Sequence, residues 1–177
     1  MTYALTRLKT FKGVEGYGLN ATITVAGVPL AFVLDDGNGG QLQLDFRNPL
    51  GTPASAKATQ ALPQALRTQR EAAFYRWCRA RVKTLPDYLT TASARDDYAA
   101  EVWINDEFDR LKNQQRFDRL AKTKTLFRLV GDSDETWRTL TIPYTNPKAQ
   151  LYLDRVYPAK VTAIYGVFTS DRNKVPT

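Results

Sequence analysis

Apolar and polar residues alternate along both ends of the chain, while the middle shows the wider spacing of an amphipathic helix. Alternation over four to eight residues indicates a strand with one buried face. Strands are predicted over residues 3–11, 19–25, 29–34 and 41–46 at the start, and over 125–130, 136–142 and 160–168 near the end. Short connections favour pairing between neighbouring strands, so the first four are expected to form a meander and 125–142 a hairpin.

Helices are predicted between these two groups of strands, after a linker over residues 48–53. Residues 64–85 carry apolar side chains at helical spacing and stop before Pro86, because proline disfavours helix in the residue that precedes it. Residues 94–123 follow the same period, and Ser93 with Asp96 resembles a capping box. A short helix over 147–157 is expected to begin at the cap Asn146.

These elements together predict an α+β fold. We expect a mostly antiparallel sheet, built from the N-terminal meander and the C-terminal hairpin and strand, with two long helices packed on one face. At 177 residues the chain is expected to be a single domain. Its parts are an N-terminal β-meander (1–48), a helical segment (54–123), a C-terminal β-hairpin with a short helix and strand (124–168), and a flexible tail (169–177).

A glycine-rich stretch joins the first two predicted strands. Gly16, Gly18 and Ala21 match the spacing of the dinucleotide-binding fingerprint, but a strand pattern follows where that motif requires a helix, which argues against a Rossmann site. The stretch is either a plain turn or a rim whose backbone amides face an anion. In the second interpretation the candidate ligand-binding residues are Lys12, Gly13, Glu15, Gly16, Tyr17, Gly18 and Asn20, joined by Lys124 and Arg128.

A second glycine-rich stretch, residues 35–40, reads Asp-Asp-Gly-Asn-Gly-Gly. Asp-Gly and Asn-Gly are strong hairpin signals, so a turn is the favoured interpretation. Acidic oxygens beside glycine also suit a hard cation, and the alternative is a Mg²⁺ site made by Asp35 and Asp36. An EF-hand register that starts at Asp36 fails, because it places Gln41 where the invariant glycine belongs.

Basic residues mark the two long predicted helices. Arg76, Arg79 and Lys83 fall on one stripe of the first helix, which is either a solvated surface or a phosphate-contacting basic face. In the second helix acids dominate the first half and bases the second half. We attribute that order to the helix dipole, which favours cations near the C-terminus. The bases in question are Arg110, Lys112, Arg116, Arg119 and Lys122.

Composition narrows the possible chemistry. The chain has no histidine, which removes histidine-based nucleophilic catalysis and histidine-ligated metal sites, and leans against an enzyme. A net charge of +7 points to an anionic partner. The lone Cys78 fits a reducing cytoplasm and is expected to be a packed thiol. No membrane association is expected, because no signal peptide, membrane span or lipid anchor is visible.

Three segments carry a resemblance. Residues 11–21, 35–40 and 124–128 read FKGVEGYGLNA, DDGNGG and KTLFR, and together they are similar to small phage and mobile-element accessory proteins. The likeness covers about a quarter of the chain and transfers no catalytic residue. It implies an accessory protein of the host cytoplasm that counters a host defence by binding something.

The sequence therefore predicts a non-catalytic binding protein for an anionic ligand, either a nucleotide or a nucleic acid, that needs no cofactor. One alternative is a Mg²⁺-dependent phosphodiesterase or nuclease that uses Glu15, Asp35 and Asp36. Another is an inhibitor whose arginine-rich helix binds an acidic host protein. The oligomeric state does not follow from the sequence.

Overall fold

Strands stand at both ends of the chain and helices in its middle in the computed structural model, which describes residues 2–166. The N-terminal strands are β1 (Tyr3–Lys12), β2 (Tyr17–Val25), β3 (Val28–Asp35) and β4 (Gln43–Asp45). The helices that follow are α1 (Pro53–Gln60), α2 (Gln64–Arg79) and α3 (Ala92–Ala121). The remaining elements are β5 (Thr125–Leu129), β6 (Arg138–Leu140), α4 (Pro147–Val156) and β7 (Val161–Ile164).

The chain divides into two compact units, Met1–Asp109 and Arg110–Thr177, and the boundary falls within α3. The α+β class and the antiparallel pairing are confirmed. The expectation of one sheet is wrong, because the described strands form two sheets, ordered β1-β2-β3-β4 and β6-β5-β7. Alternation identifies strands but not their partners, and here each strand pairs only within its own unit. That the whole chain is one domain, with two helices on one sheet face, stays a prediction.

The first sheet is the predicted meander. β1 and β2 pair from Tyr3 with Val25 to Lys12 with Tyr17, and β2 and β3 pair from Leu19 with Asp35 to Val25 with Val28. A bulge interrupts β1 between Thr6 and Lys9, where Arg7 has a positive φ of 53°. Because β1 is an edge strand, this bulge breaks the row of hydrogen-bonding groups that another chain could pair with.

The helices of the first unit differ from the predicted ones at their ends. α2 begins at Gln64 as expected but ends at Arg79, six residues before the expected end at Leu85. Its end is fixed by Arg81, whose guanidinium lies 3.5 Å from the Trp77 ring centroid and donates to the Trp77 carbonyl. Each helix among residues 2–166 is too short or too polar to span a bilayer.

Helix α1 was missed, and the start of α3 was placed at the wrong residue. α1 begins within the predicted linker, where the Thr52 side chain accepts from the Ser55 amide and a proline occupies the first turn. α3 is capped by Thr91, whose Oγ1 accepts from the Ala94 amide at 3.1 Å. Ser93 lies inside α3 and does not form the predicted capping box, since its hydroxyl contacts Asp97 instead.

Aromatic side chains form the core between the first sheet and α2. Phe74 of α2 has no solvent exposure, and its ring contacts Tyr3 at 5.3 Å, Phe46 at 5.9 Å and Trp103 at 5.7 Å between centroids. Trp103 lies on α3. Phe74 of α2 therefore joins the first sheet to both long helices of the unit. Burial of several aromatic rings in edge-to-face contact stabilises the unit.

The second unit builds a separate core. Phe127, Leu153 and Ile164 are buried together, from β5, α4 and β7. α4 begins at Asn146, whose side chain accepts from the Lys148 amide at 3.0 Å, which confirms the predicted cap. The predicted hairpin is confirmed by the pairing of β5 with β6, from Thr125 with Leu140 onward. The end of the predicted strand 160–168 and the tail 169–177 lie outside the described residues.

We predict that Cys78 is unreactive in the folded protein. Its side chain has no solvent exposure, and burial raises the pKa of the thiol to about 12, with Arg81 acting in the opposite direction. At pH 8 Ellman's reagent should therefore label the urea-unfolded chain within minutes and the native chain far more slowly, because the thiolate is the reactive species. The variant Cys78→Ala serves as the blank. Equal labelling rates in the two states would contradict the packed-thiol interpretation.

Candidate functional site

The two glycine-rich loops of the first unit are bonded to each other. The Glu15 amide donates to the Gly37 carbonyl at 3.0 Å, and the Val14 amide donates to Asn38 Oδ1 at 3.2 Å. The Gly13 amide donates within its own turn, to the Gly16 carbonyl at 2.8 Å. Three consecutive amides of the first loop are thus used inside the protein, so they do not form the anion-binding rim considered above.

Glycine is needed in these loops because they approach too closely for side chains. A Cβ on Gly13 would overlap the Gly37 carbonyl, and a Cβ on Gly37 would lie 2.6 Å from the Gly18 nitrogen. Gly18 has a second neighbour, the Phe11 ring on the paired strand, which covers it. Packing of one loop on the other therefore accounts for the glycine pattern that resembled a phosphate cradle.

The remaining candidates of this loop are spread over different surroundings. Lys12 and Tyr17 are exposed, Tyr17 with 69% of its surface open to solvent. The Glu15 carboxylate lies against Gly39 of the second loop. Asn20 is half-buried, and its Oδ1 has no hydrogen-bond partner among residues 2–166. These side chains lie on one hairpin but do not converge on a single point. Any ligand contact here would therefore be made by exposed side chains.

The carboxylates of Asp35 and Asp36 stabilise the second loop. Asp35 Oδ1 accepts from the Gly37 amide at 2.8 Å, and Asp36 Oδ1 accepts from the Asn38 amide at 3.0 Å. Each is a local Asx-type bond two residues along the chain, as in turns. In the part of the chain that is described, no group of three or more Asp, Glu or Cys residues could hold a metal ion. The alternative magnesium site therefore has no support.

The predicted basic face of α2 is not a continuous helical stripe. Arg76 is exposed on α2, but Lys83 lies four residues beyond the end of the helix. Arg79 Nε is 3.1 Å from Asp96 Oδ1 and so takes part in an ion pair. Of the three predicted residues, only Arg76 both lies on α2 and takes part in no ion pair within the described chain. The stripe depended on a helix that continued to Leu85.

The other two predicted contacts, Lys124 and Arg128, belong to the second unit. Lys124 is half-buried between α3 and β5 in the sequence. Arg128 extends over the Trp137 ring, 4.2 Å from its centroid, and its NH1 pairs with Asp134 at 3.0 Å. The Nε of Arg128 is buried without a hydrogen-bond partner in the described chain. Arg128 is thus held in place by a cation–π contact and an exposed acid.

Trp137, the ring beneath Arg128, belongs to a cluster of three aromatic side chains. Phe117, Trp137 and Tyr165 contact one another with centroids 5.6 to 6.0 Å apart. The Tyr165 hydroxyl donates to Asp118 Oδ1 at 2.8 Å and accepts from Gln114 Nε2 at 2.9 Å. Burial, followed by the bond to Asp118, raises the pKa of Tyr165 to about 12. Tyr165 therefore anchors the C-terminal half of α3 within the second unit.

Net charge is divided unequally between the two units. Residues 1–109 contain 12 basic and 12 acidic residues, so the first unit is neutral. Residues 110–177 contain 13 basic and 6 acidic residues, so the second unit carries the whole +7 of the chain. Within the described part, residues 110–166, the count is 11 to 5. The positive charge from which we expect an anionic partner therefore lies in the second unit.

A stripe of bases runs along α3 in this unit. Lys112, Arg116 and Arg119 are exposed and recur at intervals of four and three residues, which places them on one side of a helix. The opposite side carries Gln114, Phe117 and Asp118, the residues that contact Tyr165. The stripe therefore faces away from the aromatic core of the unit. We name Lys112, Arg116 and Arg119 the α3 basic stripe.

Comparison with protein-family models, curated proteins and solved structures finds no match. The resemblance to phage accessory proteins stays a prediction.

The bases of the α3 basic stripe are visible in the sequence, but the helix dipole by itself accounts for their order along α3. The missing signal was the count of charges on either side of residue 110, which is as readable from the sequence as the total. This count is informative only when the boundary between the units is known, because without the boundary only the net charge of the whole chain can be compared.

We predict that Gly13→Ala destabilises the protein and Gly16→Ala does not. A Cβ at Gly13 meets the Gly37 backbone, whereas nothing lies within 4 Å of a Cβ at Gly16. Overpacking of this kind costs about 1–3 kcal/mol, against less than about 0.5 kcal/mol at an open site. Urea unfolding of the two variants beside the wild type measures both values. Similar losses for the two would show that the loops are not in close contact.

A second prediction concerns Asp132, whose carboxylate receives two bonds from Arg138, at 2.8 and 2.9 Å, and one from the Leu129 amide. Mainly because of the Arg138 bonds, the pKa of Asp132 is lowered from 3.8 to about 2. The ionised form therefore stabilises the folded state above about pH 4, and this contribution is lost as the pH falls toward 2.

Asp132→Asn should consequently lower the free energy of unfolding at pH 7, and its difference from the wild type should narrow between pH 4 and pH 2. Urea titrations at a series of pH values measure this. The matched control is Asp134→Asn, because Asp134 is fully exposed and such surface pairs contribute little. An Asp132→Asn difference that is independent of pH would refute the assignment.

Proposed function

We propose that the chain is a non-catalytic nucleic-acid-binding protein whose second unit carries the contact surface. The observation that supports this most directly is the division of charge: the net charge is +7 in residues 110–177 and zero in residues 1–109. Lysine and arginine side chains that neutralise phosphates release condensed counterions, and this supplies most of the affinity for nucleic acid. If one surface binds the phosphates, the positive charge is expected to be concentrated in one unit and to be absent on balance from the other.

The α3 basic stripe provides the geometry. From Lys112 to Arg119 it rises about 10 Å along the helix, while phosphates follow each other every ~3.4 Å along a duplex strand. The three bases can therefore reach several phosphates of one strand. Arg116 and Arg119 are exposed and have no acid beside them on the stripe.

A nucleic acid fits this surface better than an acidic protein does. Protein interfaces have an apolar centre with a polar rim, whereas nucleic-acid interfaces are polar and strongly basic throughout. The large exposed apolar residues of the second unit, Val130, Leu151, Tyr152 and Val156, lie outside α3. The inhibitor hypothesis, which used the arginines of α2, also loses its continuous basic face.

The same proposal places the protein in the cytoplasm of a host cell. Cys78 is free, as expected in a reducing compartment. An accessory role in a phage or mobile element, including a role against host defence, is compatible with binding nucleic acid and rests only on the resemblance of the three segments.

Binding can be measured by fluorescence anisotropy with labelled single-stranded and double-stranded DNA of mixed sequence. We expect the affinity to fall steeply between about 50 and 200 mM salt, because counterions are released on binding. The double variant Arg116→Ala/Arg119→Ala should weaken binding about tenfold or more and reduce the slope of log affinity against log salt by about 2.

The matched control is the double variant Arg76→Ala/Lys83→Ala, which removes two charges from the predicted basic face of the first unit. It should leave both affinity and slope nearly unchanged. An equal loss in both double variants would mean that only net charge matters, and absence of binding to either DNA at about 50 mM salt would exclude the proposal. If neither DNA binds and a pull-down with the chain as bait retains an acidic protein, the inhibitor hypothesis would be favoured.

A further inference from the structure

A cleft in the first unit collects arginine side chains that have no acidic partner. It has a volume of about 430 Å³ and lies where β4 ends and α2 begins. Its polar lining includes Arg47, Gln60, Gln64 and Arg67, and Phe46 provides an aromatic wall. The volume is within the range of small-molecule sites, roughly 300–1,000 Å³.

The two arginines of this cleft, Arg47 and Arg67, differ from the arginines that form ion pairs in the described chain. Arg79, Arg128 and Arg138 each have a carboxylate within 3.1 Å. Arg47 and Arg67 are in no ion pair with any residue of the described chain, and the Nε of Arg67 is buried there without a hydrogen-bond partner. A guanidinium group that lacks an ionic partner and has an unbonded buried nitrogen is costly, and an anion that pairs with Arg67 from the cleft would offset that cost.

The charge inside the cleft is positive. Glu71 is the one acid in its lining, against Arg47 and Arg67. A second, smaller cavity of about 40 Å³ adjoins the cleft, shares Phe46 and Arg67 with it, and adds Arg70 together with apolar side chains such as Leu30. The cleft thus combines guanidinium donors with an apolar surface.

The wall of the cleft is held rigidly. The Phe46 ring contacts Phe74 at 5.9 Å and Tyr75 at 5.7 Å between centroids, so the aromatic core of the unit fixes its position. A larger recess of about 670 Å³ is lined only by residues of α2, from Gln64 to Arg76. One helix surface does not enclose a ligand, and we therefore assign no site to that recess.

We propose that this arginine cleft binds a small organic anion, whose phosphate or carboxylate group is held by Arg47 and Arg67 and whose planar or apolar part lies against Phe46. Guanidinium groups bind both kinds of oxyanion through paired, charge-assisted hydrogen bonds. The proposal is independent of the nucleic-acid surface, because all of its residues belong to the electrically neutral first unit.

Isothermal titration of the full chain with three probes tests the cleft: inorganic phosphate, a nucleoside monophosphate and an aromatic carboxylate. We expect saturable binding of at least one organic probe, and weaker binding of inorganic phosphate, which has nothing to place against Phe46. Tighter binding of the nucleotide would identify the phosphate class, and tighter binding of the carboxylate the carboxylate class. Absence of saturable binding for all three would overturn the proposal.

Variants locate the site. Arg67→Ala should weaken binding by at least about tenfold, because it removes a charge-assisted hydrogen bond. Arg47→Ala, in the segment after β4, gives the same information if Arg67→Ala fails to fold. The control Arg76→Ala removes one charge from the same helix outside the cleft and should have little effect. Equal losses in Arg67→Ala and Arg76→Ala, or none with Arg47→Ala and Arg67→Ala, would refute the assignment.

The double variant Arg116→Ala/Arg119→Ala separates this proposal from the preceding one. It should retain binding of the small anion while losing affinity for DNA, whereas Arg67→Ala should do the reverse. Loss of small-anion binding in the α3 variant would show that the anion binds to the α3 basic stripe and not to the cleft.

Discussion

The burial of Phe74 is the contact on which the first unit depends. Its ring meets Tyr3 from β1, Phe46 from the segment after β4, and Trp103 from α3, so three separate parts of the chain converge on one residue of α2. Because Phe46 is positioned by this contact, the wall of the arginine cleft is a direct consequence of the core. Edge-to-face aromatic packing of this kind fixes orientation as well as distance.

Electrostatics divides the molecule differently from hydrophobic packing. Each unit buries its own apolar residues, yet only the second unit carries net charge. Mutual repulsion among bases opposes a compact state, and the second unit offsets part of it through the pairs of Arg128 with Asp134 and of Arg138 with Asp132. Arg116 and Arg119 of the α3 basic stripe take part in no ion pair within the described chain. Binding of the nucleic acid that we propose as ligand would reduce the repulsion that remains among these bases.

The glycine-rich loops show how one sequence pattern can serve packing as well as binding. Glycine permits a backbone to approach a phosphate, and it equally permits a backbone to approach another backbone. Gly13, Gly18 and Gly37 do the second, and the Val14 and Glu15 amides of the first loop are bonded to the second loop. Nothing local to either loop distinguishes the two uses, since the partner lies more than 15 residues away along the chain.

The sequence by itself determined the strands, the start of α2, the cap of α4 at Asn146 and the buried state of Cys78, because periodicity and capping are local properties. Tertiary structure decided which strands share a sheet, that α2 ends at Arg79 when Arg81 folds back on Trp77, and that the two glycine loops close on each other. It also decided that Arg47 and Arg67, 20 residues apart, line one cleft. Apart from the local contact of Arg81 with Trp77, these features depend on contacts between residues far apart in the chain, which no local pattern encodes.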